Sequence, residues 1–244
     1  MTLPEVLAVA AAGFAAGAVN TIVGSGSLIT FPTLLAVGYG SVTANVSNTI
    51  GLVLGNVSGA VGYRRELSGQ RRRARALAAA SATGAATGGV LLLALPSSVF
   101  DAVVPLLILL ACVLMALKRT PKAHAAREHM GAATVATFLT GIYGGYFGAA
   151  QGVILISLHR LCFRDDLQRL NALKNVLVGV ANGVAAILFM IVAHVAWGAA
   201  ALIAAGSIAG AQVGATVGRR LPEKALRAVV VVGGTIVAIV LILT

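Results

Sequence analysis

The chain has 244 residues, of which 59% are hydrophobic and only 10% are charged. Such a composition has too few polar residues to cover a water-soluble globule of this size, so it predicts an integral membrane protein. The formal net charge of +11 is concentrated at the ends of apolar runs, which argues against a nucleic-acid partner, because nucleic-acid binding needs basic residues interleaved with aromatics on a soluble surface.

Apolar runs follow one another along the whole chain. Eight of them are long enough to cross a hydrocarbon core of about 30 Å as helices. These eight are 3–23, 42–63, 76–95, 99–117, 131–147, 170–193, 196–217 and 225–243. Two shorter runs, 28–37 and 153–163, would each extend only about 15 Å, which is half a bilayer. We therefore expect an all-α integral membrane protein.

The basic residues predict which loops face the cytoplasm. All 18 Lys and Arg residues lie in four clusters, at 64–75, 118–127, 160–174 and 219–227. The loops at 38–41, 96–98 and 194–195 carry none. Because Lys and Arg are enriched in cytoplasmic loops, the basic clusters and the neutral loops are expected on opposite sides of the membrane.

The two halves of the chain resemble each other. However, loops that are basic in one half are neutral at the corresponding place in the other half. Gly17 and Gly24 recur 124 residues later as Gly141 and Gly148. Further matches are Gly84, Gly88, Leu95 and Pro96 with Gly210, Gly214, Leu221 and Pro222, and Ser47-Asn48 with Lys174-Asn175. Inverted repeats of this kind are typical of transporters. We predict two inverted five-segment repeats, 1–119 and 120–244, in one membrane domain.

Each repeat begins with a broken pair of runs. The run 131–147 follows one basic cluster and the run 153–163 ends at another, so both outer ends are expected on the cytoplasmic side. The two runs together therefore predict a re-entrant hairpin whose tip is 148–152. By symmetry 3–37 is a hairpin that enters from the opposite face, with its tip at 24–27 and both chain termini extracytoplasmic. The run 3–23 is long enough to span alone, and the N-terminus would then be cytoplasmic.

The two hairpin tips form the candidate substrate site. Backbone that leaves a helix at membrane depth must bond to protein, water or ligand, because lipid offers no partner. Glycine allows close approach of a ligand, and the helix after each tip offers N–H groups that suit an anion. The alternative is a tight turn or close helix packing. The predicted substrate-binding residues of the tips are Gly24, Ser25, Gly26, Ser27, Gly148, Gln151 and Gly152.

A polar stripe in the third segment of each repeat completes the predicted site. The stripe contributes Asn48 and Thr49 in the first repeat and Lys174 and Asn175 in the second. Polar side chains at this depth point to a bundle interior or a water-filled path, and the alternative is hydrogen bonding between helices. Lys174 has two alternatives: it extends to the interface, or it faces the tips and pairs with a bound anion.

Other residue types limit the function. The seven Asp and Glu residues lie near segment ends, which disfavours a cation path and favours an anion path. The sequence offers no nucleophile, metal-ligand cluster or acid–base pair, so we expect no metal, no cofactor and no enzymatic activity. Glycines at a spacing of four, such as Gly84 with Gly88 and Gly206 with Gly210, predict close helix packing.

Several of these motifs resemble one known family. Gly13-Phe14 and Gly17 before the first tip, the stretch 44–48, and the pair of 141–152 with 171–175 resemble the TauE/SafE family of sulfite exporters. The resemblance implies a multi-pass transporter of the bacterial inner membrane that exports sulfite, organosulfonates or related small sulfur-containing anions. The expected partners are a small anionic substrate and the lipid bilayer. An anion channel, or a permease for another small anion, is the alternative, and a homodimer is left open.

Overall fold

The structure is a computed structural model that describes residues 1–117 and 128–217. The predicted run 225–243 and the basic clusters 118–127 and 219–227 lie outside the described residues. The described part is helical, as predicted, and has nine helices. They are α1 (Leu3–Ile22), α2 (Ser27–Ala36), α3 (Ser41–Gly62), α4 (Arg71–Ala94), α5 (Ser97–Leu117), α6 (Met130–Tyr146), α7 (Gln151–Cys162), α8 (Leu167–Val192) and α9 (Trp197–Val217).

Four of the described helices are long and apolar enough to cross a membrane, namely α1, α4, α8 and α9. The sequence predicted more spans than this. Helix α3 has 22 residues, but its asparagines, serines and glycines lower its hydropathy. Helix α6 has only 17 residues. The α2 and α7 helices, with 10 and 12 residues, are the short segments that the sequence predicted.

Both predicted breaks interrupt the helices and reverse the chain. Gly24 has φ +88° between α1 and α2, a left-handed conformation that glycine adopts without strain. Gly26 then lies so close to α1 that a Cβ on it would be 2.5 Å from the Ala16 carbonyl oxygen. At the second break, Gly148 has φ +78°. The ends of that hairpin meet where the His129 N–H donates to Cys162 O at 3.0 Å.

Small residues bring two pairs of helices into close contact: α1 packs against α9, and α4 packs against α6. A Cβ placed on Gly210 of α9 would lie 1.9 Å from Phe14 O of α1. A Cβ on Gly88 of α4 would lie 2.0 Å from Ile142 O of α6. The predicted role of these glycines in helix packing is therefore confirmed, because a larger residue has no room.

Helices α3 and α8 contact each other at the centre of the molecule. In addition α3 packs against α9, and α8 packs against α4. The short helices α2 and α7 pack against α3 and α8 respectively. This arrangement brings the two breaks together beside the polar stripes of α3 and α8.

Candidate substrate site at the two helix breaks

The two tips touch through their backbones. The first tip is residues 24–27, and the second tip is residues 148–152. The Gly152 N–H donates to the Gly24 carbonyl oxygen at 3.1 Å. A Cβ added to Gly24 would lie 2.4 Å from the Gly152 Cα, and a Cβ added to Gly152 would lie 2.6 Å from the Gly24 Cα. Glycine is thus required at both positions, because any side chain would force the tips apart.

Lys174 lies at this junction and is fully buried, with 0% of its surface exposed. Its Nζ donates to the carbonyl oxygens of Asn20 at 2.7 Å and Thr21 at 3.2 Å. These oxygens belong to the last turn of α1, where helix carbonyls lack intrahelical partners and the helix dipole is negative. Of the two alternatives for Lys174, extension to the membrane interface is wrong, and its side chain faces the first tip.

Two amides of α8 bind the same helix end. The Asn171 and Asn175 side chains donate to Thr21 O at 3.1 and 3.3 Å. Together with Lys174 they fix the C-terminus of α1 against α8. Interhelical hydrogen bonding, one of the two roles expected for the polar stripe, is therefore present in α8.

On the other side of the junction, Asn48 ties α3 to the first tip and to α2. Its Nδ2 donates to Ser27 Oγ at 3.1 Å, and its Oδ1 accepts from the Thr30 hydroxyl. Asn20 also caps the first tip, because its Oδ1 accepts from the Gly26 N–H at 3.3 Å. This bond occupies one of the N–H groups at the start of α2, the kind of group that an anion would otherwise bind.

The second tip has a corresponding set of contacts. The Tyr143 hydroxyl donates to Ala149 O at 2.5 Å, and Ala150 has φ +56°. Asn45 of α3 donates to Tyr146 O at 3.0 Å, so an asparagine again binds the end of a long helix. Gln151 packs against Gly144, where a Cβ would lie 2.3 Å from the Gln151 amide carbon.

Two polar atoms of the tips have no hydrogen-bond partner within the described residues. These are Ser25 Oγ and Gln151 Oε1, and both residues are only 1% exposed. Buried polar groups are nearly always hydrogen-bonded, because an unpaired one costs about 1–3 kcal/mol. A polar ligand between the tips would satisfy them. Ser25, Gln151 and Lys174 are all buried, so the junction has almost no exposed side-chain surface.

The predicted site residues divide into two groups. Gly24, Gly152 and Lys174 meet at the junction itself. Contacts around the first tip add Gly26, Ser27, Asn48 and Asn175. Ser25 and Gln151 also lie at the tips, where each has a buried oxygen without a partner among the described residues. The structure does not join the other two, Thr49 and Gly148, to this network: Thr49 is buried without a hydrogen bond to it, and the Gly148 N–H donates within its own hairpin to Tyr143 O at 3.1 Å.

Sequence analysis missed Asn20 and Thr21. Asn20 could have been found, because it is the last amide in an otherwise apolar run before the first break. Thr21 acts through its main-chain oxygen, which any residue would supply, so no sequence signal marks it. Among residues 1–117 and 128–217, no group of three His, Cys, Asp or Glu side chains is arranged to hold a metal ion.

Comparisons with known proteins identify the family of the chain and relatives that are described as membrane transporters. The family model described as Sulfite exporter TauE/SafE matches residues 9–241. The chain is 26% identical over 234 residues to "Probable membrane transporter protein ORF9" of Sinorhizobium sp., covering 93% of this chain and 88% of that protein. It is 23% identical over 224 residues to "Probable membrane transporter protein YfcA" of Escherichia coli strain K12, covering 89% and 82%. No solved structure matches the chain significantly.

Proposed function

Because the chain belongs to the TauE/SafE sulfite exporter family, it is a multi-pass membrane transporter, and we propose that it exports small sulfur-containing anions such as sulfite or organosulfonates. The proposed substrate site lies between the two tips, near the middle of the bacterial inner membrane. The transporter is secondary: it exposes this site alternately to the two sides and catalyses no covalent chemistry.

The observation that carries this proposal is the meeting of the two tips beside a buried lysine. Lys174 brings a positive charge to the junction, and Ser25 brings a hydroxyl that has no partner among the described residues. The Gln151 side chain ends in an amide that rotates to present either its oxygen or its NH2 group. A small oxyanion offers several acceptor atoms to such donors, and charge-assisted hydrogen bonds are the stronger kind. A cation would be repelled by the ammonium group of Lys174.

Corresponding contacts support the inverted repeats 1–119 and 120–244. Helix α1 packs against α9 as α6 packs against α4, and α3 packs against α9 as α8 packs against α4. Asn45 binds the last turn of α6, and Asn171 binds the last turn of α1. These two asparagines lie 126 residues apart. The contacts therefore favour a spacing of 126 between α3 and α8 over the spacing of 127 that pairs Asn48 with Asn175.

In this proposal the contact between the tips is the closed state of an alternating-access cycle. While the tips touch, the Gly24 carbonyl occupies the Gly152 N–H, and the Asn20 amide occupies the Gly26 N–H. Separation of the tips would release the Gly152 N–H toward a bound anion, and a rotation of the Asn20 side chain would also free the Gly26 N–H. A substrate that supplies acceptors for these groups replaces the bonds that are lost, so it binds the separated state better and shifts the population toward it.

The experiment is transport by the purified protein in proteoliposomes. Flux of sulfite, taurine, sulfoacetate and thiosulfate is measured as a function of concentration. Saturable flux with competition among these anions is the expected result. Flux that rises linearly with concentration would instead indicate an anion channel, and transport of none of these anions would contradict the substrate class.

Glycine variants locate the site within that assay. Gly24→Ala should abolish flux, because it adds a contact of 2.4 Å with the second tip to the strain of a positive φ. Gly38→Ala is the matched control: Gly38 has φ +95° but nothing within 4 Å of its added Cβ. Lys174→Gln, which removes the charge, should weaken apparent affinity about tenfold or more. Wild-type flux in Gly24→Ala and Lys174→Gln would place the substrate elsewhere.

A further inference from the structure

A second cluster of charge lies away from the tips, where the chain passes from α3 to α4. This connection carries Arg64, and α4 begins with Arg71. Both arginines line a cavity of about 470 Å³, which we name the Arg64–Arg71 cavity. Its wall also includes Ser68 and, on the apolar side, Leu67, Ala74 and Val176.

No carboxylate in the described part of the chain neutralises the arginines of this cavity. Among the described residues, no carboxylate lies within ion-pair distance of Arg64 or Arg71. A second cavity, whose lining includes Arg73, Glu128 and Arg169, differs in this respect. There Arg73 pairs with Glu128 at 2.9 Å and with Asp165, and Arg169 pairs with Asp165 at 2.8 Å. The Arg64–Arg71 cavity therefore has two positive charges that attract an anion from outside the chain.

The cavity also combines charge with apolar surface. Val176 lies in α8 nine residues after Leu167, about 14 Å along the helix from its start, whereas Arg64 and Arg71 lie at the ends of membrane helices. One cavity thus extends from the level of lipid headgroups toward the level of acyl chains. A free inorganic anion would use only the charged part.

We infer that the Arg64–Arg71 cavity binds the headgroup of an acidic phospholipid. The two guanidinium groups would hold the phosphodiester, Ser68 would donate its hydroxyl, and Leu67 and Val176 would contact the first methylenes of an acyl chain. Arginine suits this role because its planar fork donates two hydrogen bonds to one phosphate. The site needs membrane insertion but not transport, so it is independent of the function proposed for the tips.

The experiment measures lipid binding to the full-length protein in detergent by native mass spectrometry. The probe is dioleoyl phosphatidylglycerol. Dioleoyl phosphatidylcholine, which has the same phosphate and acyl chains but no net charge, and inorganic phosphate serve as comparisons. We expect phosphatidylglycerol to bind about tenfold or more tightly than either. Equal binding of phosphatidylcholine, or tight binding of inorganic phosphate alone, would overturn the proposal.

Two double variants locate the lipid. Arg64→Gln/Arg71→Gln removes the arginines of the cavity, and we expect the affinity for phosphatidylglycerol to fall about tenfold or more. Arg65→Gln/Arg75→Gln is the matched control, because it removes the same charge from two exposed arginines of the same connection and helix that are not in the cavity wall. An equal loss of affinity in both double variants would show general attraction to the basic surface and would contradict a defined site.

A labelling measurement keeps the test valid if the first double variant unfolds. Ser68→Cys is made in a background where Cys112 and Cys162 are replaced by alanine. Phosphatidylglycerol should slow maleimide labelling at position 68 about tenfold, and phosphatidylcholine should not. Equal labelling rates in the two lipids would overturn the site.

Discussion

Lys174, Asn171 and Asn175 all donate to carbonyl oxygens in the last turn of α1. At the scale of single residues, the centre of the molecule is thus held by side chains of one helix that satisfy the main chain of another. The last carbonyl groups of a helix have no partner within that helix, and when they are buried another group must donate to them. The polar stripe of α8 supplies these donors, so its residues have a structural role besides any contact with substrate.

The first prediction compares two buried asparagines. Asn48→Ala should lower the free energy of unfolding by about 2 kcal/mol, since it removes the hydrogen bonds to Ser27 and Thr30. Asn182→Ala is the control: Asn182 is also buried but makes no hydrogen bond in the described part of the chain, so its loss should cost less than about 1 kcal/mol. Unfolding in detergent measures both, and equal costs would contradict the role of Asn48.

At the scale of helices, the packing of the bundle depends on two glycine-rich contacts, one between α1 and α9 and one between α4 and α6. In these contacts the backbone of one helix lies where a Cβ of the other would be. Lipid tails are as apolar as leucine, so helices in a membrane gain association energy from such close packing and not from burial of apolar surface.

The second prediction tests these contacts. Gly88→Ala and Gly210→Ala should each destabilise the protein by about 1–3 kcal/mol, because the added methyl would overlap a carbonyl oxygen of the facing helix. Gly183→Ala in α8 is the matched control, because nothing lies within 4 Å of its added Cβ. It should stabilise the helix by up to about 1 kcal/mol. Thermal unfolding in detergent distinguishes them, and a neutral Gly88→Ala would refute the close contact.

The third prediction concerns the connection between α7 and α8. Burial alone raises the pKa of the Asp165 carboxyl, but hydrogen bonds from Arg169 and Arg73 outweigh it and hold the pKa below its ordinary value. A lowered pKa means that the ionised form stabilises the fold above the unfolded value of about 3.9. That stability is lost as the pH falls through the lower pKa of the folded state.

Asp165→Asn should therefore unfold at a lower temperature than the wild type at pH 7, and this difference should shrink as the pH falls below about 4. Asp166→Asn is the comparison, because Asp166 caps α8 by accepting from the Arg169 N–H at 2.9 Å and asparagine caps equally well. It should remain close to the wild type. A difference for Asp165→Asn that stays constant from pH 7 to pH 3 would contradict this reasoning.

At the scale of the whole molecule, the helices group into two bundles, and each bundle contains helices from both proposed repeats. Helix α9 packs with α1 and α3, and α4 packs with α6 and α8. The α3–α8 contact and the two tips connect the bundles. Because the proposed site lies at this connection, the proposed alternating access would need one bundle to rotate against the other.

The fourth prediction tests the inverted orientation. Ser68→Cys lies in the loop between α3 and α4, and His194→Cys lies in the corresponding loop between α8 and α9. Inverted repeats place these two loops on opposite sides of the membrane. With Cys112 and Cys162 replaced, an impermeant maleimide added to intact cells should label position 194 and should reach position 68 only after permeabilisation. Labelling of both positions from one side would contradict the inverted repeats.

The amino-acid sequence by itself determined the membrane environment, the helical class, the two breaks and the glycine contacts. These depend on local features: hydropathy over about 20 residues, glycine where φ is positive, and small residues at a helical spacing. Only the tertiary structure decided what Lys174 contacts and brought Asn20 and Thr21 into the site. The partners of Lys174 are main-chain oxygens more than 150 residues away, and a carbonyl group, which every residue has, leaves no mark in a sequence.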